Sequence, residues 1–105
     1  MELTVLERLT LLAILPPEGN LRTMRVVHEL RQELALTQEE IKEFGVREEG
    51  QQIVWDEAKA KAVEIKAGGI RTEIITKALR ELNEKEKLTP QHLTLCEKFP
   101  FDPKD

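Results

Sequence analysis

Apolar residues recur at helical spacing along most of the chain, and each run ends at a recognisable stop. Over Leu3–Leu15, the residues Val5, Leu6, Leu9, Leu12 and Ala13 share one face of a helix. In the last turn Leu11, Ile14 and Leu15 fall on the opposite side, so this end is apolar all round and must be covered all round. It lies either centrally in the fold or against a partner chain. Pro16-Pro17 stops the helix, because proline lacks the amide donor and restrains the residue before it. Asn20 suits the N-cap of a second helix, whose stripe of Leu21, Met24, Val27, Leu30 and Leu34 leaves Arg22, Arg25, Glu29 and Gln32 wet.

Thr37-Gln38-Glu39-Glu40 has the form of a capping box, with Leu36 and Ile41 as its hydrophobic staple. It predicts a short third helix that ends near Phe44, with Gly45 as the stop. Ile70, Ile74, Ile75, Ala78, Leu79 and Leu82 define the strongest helix, running to about Lys87, with Glu73–Lys77 and Glu81–Lys85 placed to pair along its surface. Thr89-Pro90 opens a last helix, a capping threonine before a proline in the favoured first position.

The β signal is confined to the middle. Gln51–Trp55 carries Ile53, Val54 and Trp55, and Val63–Ala67 alternates apolar with polar. These two stretches are expected to pair as a hairpin through residues 56–61, since one strand alone would leave its ladder unpaired. A helix capped by Asp56 is the alternative for 56–62, because Ala58–Ala62 is rich in helix formers. The expected fold is α+β and predominantly α-helical, about five helices packed around one antiparallel β-hairpin. Its order is helix, helix, short helix, hairpin, helix, helix. Residues 1–98 form a single domain, and the tail 99–105 docks through Phe99 or Phe101 before fraying.

Composition narrows the class without naming a function. In 105 residues, aromatics are only 4%, so the core must be aliphatic, which suits helix packing. The formal charge of -4, with both signs mixed along the chain, lacks the basic excess of a polyanion binder. A single cysteine, Cys96, excludes an internal disulfide. Nothing at the N-terminus resembles a secretory signal and no apolar run is long enough to span a bilayer, so a cytoplasmic protein is expected.

Candidate chemistry is thin. His92 and Cys96 share a helix face, but two ligands are too few for a metal site, and a buried thiol beside a rim histidine is the better reading. The acidic residues from Glu39 to Glu57 lack the ligand alternation of a calcium loop. Gly68-Gly69 lacks the spacing and the following Lys-Ser/Thr of a phosphate loop. No catalytic residue, metal or cofactor is expected.

The order of elements invites a winged-helix, DNA-binding reading, which predicts that Arg22, Arg25, Arg47, Lys59, Lys61 and Arg71 converge on one surface. Against it, the Thr37 helix would present Glu39, Glu40 and Glu43 to phosphates. The residues Leu3-Thr4-Val5-Leu6-Glu7-Arg8-Leu9, Leu15-Pro16, Glu18-Gly19-Asn20 and, later, Lys87-Leu88-Thr89, His92-Leu93 and Glu97-Lys98-Phe99 resemble small uncharacterised proteins of tailed-phage and prophage genomes. That resemblance implies a short accessory, regulatory or assembly protein in a bacterial cytoplasm and carries over no functional residue. The favoured expectation is a non-enzymatic interaction module that binds itself or another protein, host or phage, with Leu11, Ile14, Leu15 and Trp55 as the candidate interface. Nucleic acid and membrane are the disfavoured partners.

Overall fold

The computed structural model describes residues 1–101. Four strands and five helices follow one another as β1 (Glu2–Leu3), α1 (Val5–Ile14), α2 (Leu21–Leu34), α3 (Gln38–Glu43), β2 (Arg47–Glu49), β3 (Gln52–Val54), β4 (Val63–Glu64), α4 (Gly69–Glu84) and α5 (Leu93–Lys98). A 3₁₀ turn, Pro90–His92, leads into α5. The architecture is α+β and mostly helical, with two small antiparallel sheets.

The first helix starts later than its apolar run suggests. Leu3 is the end of a strand and is fully buried, and Thr4 caps α1 by accepting from the Glu7 amide while the Glu7 carboxylate accepts from the Thr4 amide. Thr4-Val5-Leu6-Glu7 is thus a capping box of the same form as Thr37–Glu40, where both reciprocal bonds are 3.0 Å. Asn20 caps α2 through the Thr23 amide.

Both expected strand segments exist, but each has a different partner. Gln52–Val54 folds back on Arg47–Glu49 through a two-residue turn, in the register Arg47↔Val54, Glu48↔Ile53 and Glu49↔Gln52. Gly50 allows that turn, because its φ of +64° is costly for any residue with a Cβ. Val63–Glu64 pairs instead with β1, placing Leu3 opposite Val63, and the Met1 carbonyl extends the ladder by accepting from the Ile65 amide at 2.8 Å. Residues 56–62 are neither a hairpin loop nor a helix. Asp56 closes a single turn over Ala58, Lys59 and Ala60, and the chain then crosses to β4.

One core gathers Leu3, Leu11, Leu15, Val27, Leu30, Leu34, Ile65, Ile75, Leu79, Leu95 and Phe99. Burying each of these side chains contributes roughly 1.5–3 kcal/mol. Phe101 packs against the same cluster, while the expected fraying over 102–105 lies outside the described residues. Two helices stop in the same way. After α3, Gly45 takes the left-handed conformation and the Val46 amide returns to the Ile41 carbonyl; after α4, Glu86 does so at φ 57° and the Lys87 amide returns to Leu82. The surface pairs expected within α4 are absent from the ion pairs among the described residues. Arg71 reaches across to Glu29 and Glu33 of α2 instead.

Candidate functional site

Two charged side chains on α1, Glu7 and Arg8, are as buried as the core residues Leu11 and Leu15. Arg8, 2% exposed, spreads its guanidinium over the end of α2, donating from Nε to the Leu34 carbonyl at 3.0 Å and from Nη2 to the Ala35 carbonyl at 2.9 Å. The same fork grips both oxygens of Glu40, at 2.6 and 3.0 Å. Arg8 therefore supplies donors to a helix C-terminus and clamps the capping box of the next helix. Hydrogen bonds from Arg8 outweigh the opposing effect of burial and, with the Thr37 amide, hold the Glu40 carboxyl down at about 2. Next to it, Glu7 accepts from Lys98 Nζ at 2.6 Å through Oε1, while its buried Oε2 has no partner. Burial pushes the Glu7 carboxyl up, but the Lys98 and Thr4 hydrogen bonds prevail and leave it below its ordinary value. These groups join elements and are engaged with one another.

The expected interface does not form one surface. Leu11 is 0% and Leu15 3% exposed, both covered by their own chain, and Ile14 packs partly buried against the core. The all-round apolar turn is central to the fold, so Leu11 and Leu15 are corrected from candidate interface to core. The cause is Arg8: the buried stripe runs Arg8, Leu11, Leu15, and a reading by hydrophobicity cannot place an arginine on it. The stripe expected to be buried instead contains Leu6, which is 41% exposed.

Trp55 does lie at the surface, half-buried, and it shares an open groove of about 300 Å³ with Leu6, Ala60 and Ala62. Glu57 and Lys61 border that groove. Ile53, two residues before Trp55 and on the same face of its strand, is 48% exposed. Leu6 and Ile53, like Leu21 and Leu93, are exposed apolar residues that the pattern of the chain does not flag. The available signal was Arg47-Glu48-Glu49: a strand with no apolar position implies a hairpin with no buried face.

The remaining candidates resolve into structural roles. His92 is buried, and its Nδ1 accepts the Thr89 amide at 2.9 Å, doing for this turn what a glutamate does in a capping box. Burial, then Glu97, pushes the Cys96 thiol up, the reverse of what an activated nucleophile needs. Among the described residues no three His, Cys, Asp or Glu side chains gather closely enough to hold a metal ion. A larger open groove of about 710 Å³ lies between α2 and the start of α4, but Arg71 and Glu29 both line it, and they pair with each other.

Of the DNA-binding arrangement, the order of three helices before a hairpin is present. Glu39 and Glu43 of α3 are exposed. Three of the cations it would need already have acidic partners: Arg47 with Glu49, Lys61 with Glu43, and Arg71 with Glu33. Among the described residues no helix is long and apolar enough to cross a membrane. Comparison with protein families, curated proteins and solved structures returns no match.

Proposed function

We propose that this chain is a small non-enzymatic protein-interaction module whose contact surface is centred on Trp55, in keeping with a phage-type accessory or assembly protein of the bacterial cytoplasm. The observation that supports the reading is the convergence of Trp55 and the exposed Leu6 on one groove, with the exposed Ile53 two residues before Trp55 in the chain. An exposed apolar group at the rim of a tryptophan is a common form of binding hot spot. Glu57 and Lys61 at the border would favour a partner of mixed polarity.

The test is affinity capture from a bacterial lysate with the wild-type chain and with Leu6→Asp, a substitution at an exposed position that should leave the circular-dichroism spectrum unchanged. A protein retained by the wild type and lost with Leu6→Asp supports the surface. An identical retained set for both chains overturns it.

A further inference from the structure

We infer that the outer edge of β3 pairs antiparallel with β3 of a second copy of this chain, giving a four-stranded sheet β2–β3–β3–β2 about a two-fold axis. The inference deepens the proposed interaction role by naming a partner for the same surface.

Among the described residues the β2–β3 hairpin pairs with no other strand: each of its strands has one neighbour in the sheet. An isolated two-stranded hairpin is marginal in water. Its turn spans two residues, so Glu49↔Gln52 is the closing hydrogen-bonded pair and the next pair, Glu48↔Ile53, is a non-bonded one. The Asp56 amide continues the inner series by donating to the Phe44 carbonyl at 2.8 Å. Gln52, Val54 and Asp56 therefore turn their amides inward, and Ile53 and Trp55 turn theirs outward. Among the described residues the Ile53 and Trp55 amides meet no backbone partner outside the hairpin. What fits a row of free amides and carbonyls at this spacing is another extended strand.

Charge identifies both the edge and the occupant. Gln51–Trp55 is an uncharged run in a chain with 34% charged residues. A two-fold pairing through β3 centres on Ile53 opposite Ile53, with each Ile53 diagonal to the other copy's Trp55 on one face. The same operation through β2 would place Glu48 opposite Glu48, and like charges directly opposed are destabilising. Head-to-tail pairing of β2 with β3 would propagate without closing. The charged β2 edges instead end up outermost and guard the sheet, so association stops at two copies. Strands of three residues bury much less than the roughly 1,000 Å² of a stable interface, so the dimer is transient, with a dissociation constant on the order of 100 μM. Each copy carries -4, so added salt should tighten it.

Sedimentation equilibrium of the full chain, from about 5 μM to about 1 mM, tests this. The expected result is a monomer–dimer equilibrium that strengthens with salt, weakens at least tenfold in Ile53→Lys and is unchanged in Glu48→Gln. A register-specific check uses single cysteines in a Cys96→Ser background. A bonded antiparallel pair has its Cα atoms about 5.5 Å apart, within disulfide reach, so Ile53→Cys should cross-link on oxidation and Glu48→Cys should not. A strict monomer at about 1 mM, or cross-linking at position 48 in place of 53, overturns the inference. If the chain is a monomer and Leu6→Asp still abolishes capture of another protein, self-pairing falls while the interaction surface stands.

Discussion

Two of the molecule's capping boxes have the same Thr–Glu form and end differently. Thr4–Glu7 and Thr37–Glu40 are both capping boxes, and in each the glutamate also takes a cation from a distant element. Glu40 receives the fork of Arg8, so both its oxygens are occupied. Glu7 receives the single ammonium of Lys98 and keeps a buried oxygen with no partner. The difference is one of geometry. A planar guanidinium reaches both carboxylate oxygens and still has donors for two carbonyls, whereas the Lys98 ammonium reaches one carboxylate oxygen and one carbonyl, that of Glu2 at 2.6 Å.

The largest expected effect follows from removing the fork. Arg8→Ala leaves Glu40 without its partner and strips two α2 carbonyls of their donor, a loss of about 3–5 kcal/mol in urea denaturation. A loss below about 1 kcal/mol would show that solvent replaces the arginine and that the two boxes are equivalent. Acid should break the Glu40 site in a defined window. Its carboxyl is held at about 2 against an ordinary value of 4.5, so the stability it adds is complete above the ordinary value and is lost as pH falls through about 2. Glu7 is shifted in the same direction. Urea midpoints should stay level down to about pH 5 and decline below it, with a smaller decline in Glu40→Gln. Equal acid sensitivity in that variant would assign the decline to other groups.

At the second box the effects shrink. Lys98 is 38% exposed, so Lys98→Ala should cost about 1–2 kcal/mol, the penalty of a buried carboxylate softened by nearby water. Lys98→Arg sharpens the comparison. If the unpartnered Glu7 oxygen reflects the choice of cation, the fork should add up to about 1 kcal/mol, and a loss would mean that α5 cannot seat it. The smallest effect belongs to the two helix ends. Glu86 holds at φ 57° the conformation that Gly45 holds at 64°, so Glu86→Gly should raise stability by about 0.5–1 kcal/mol in thermal denaturation, whereas a neutral or negative change would mean that its side chain compensates.

How far the fold could be read from the sequence follows from the same features. Thr37–Glu40 was legible because it sits between two helical runs with nothing else to explain it. Thr4–Glu7 has identical chemistry but lies inside an apolar run from Leu3 to Leu15, where helical periodicity absorbs the cap. Leu11 and Leu15 looked unpartnered because the residue that aligns them with the core is an arginine. Its burial depends on carbonyls and a carboxylate brought in by the fold, which no local pattern reports. The strands Gln52–Val54 and Val63–Glu64 were found from their composition but given to each other. The true partner of the first is wholly polar, and that of the second is two residues near the N-terminus. At the candidate surface, the type of Trp55 fits a core cover beneath the hairpin as well as an interface anchor, and periodicity assigns Leu6 to a core stripe that it does not join.

The separation of Glu7 from Lys98, 91 positions along the chain, also orders events in time. Arg8 and Glu40 are 32 apart and join helices made consecutively, so that half can assemble while the rest is still a coil. The Lys98 contact needs nearly the whole chain to return on itself, a closure whose entropic cost is met only once the earlier helices are in place. Such late contacts act mainly on the rate of escape from the native state. Lys98→Ala is therefore expected to speed unfolding while leaving the refolding rate nearly unchanged, which stopped-flow denaturation would show.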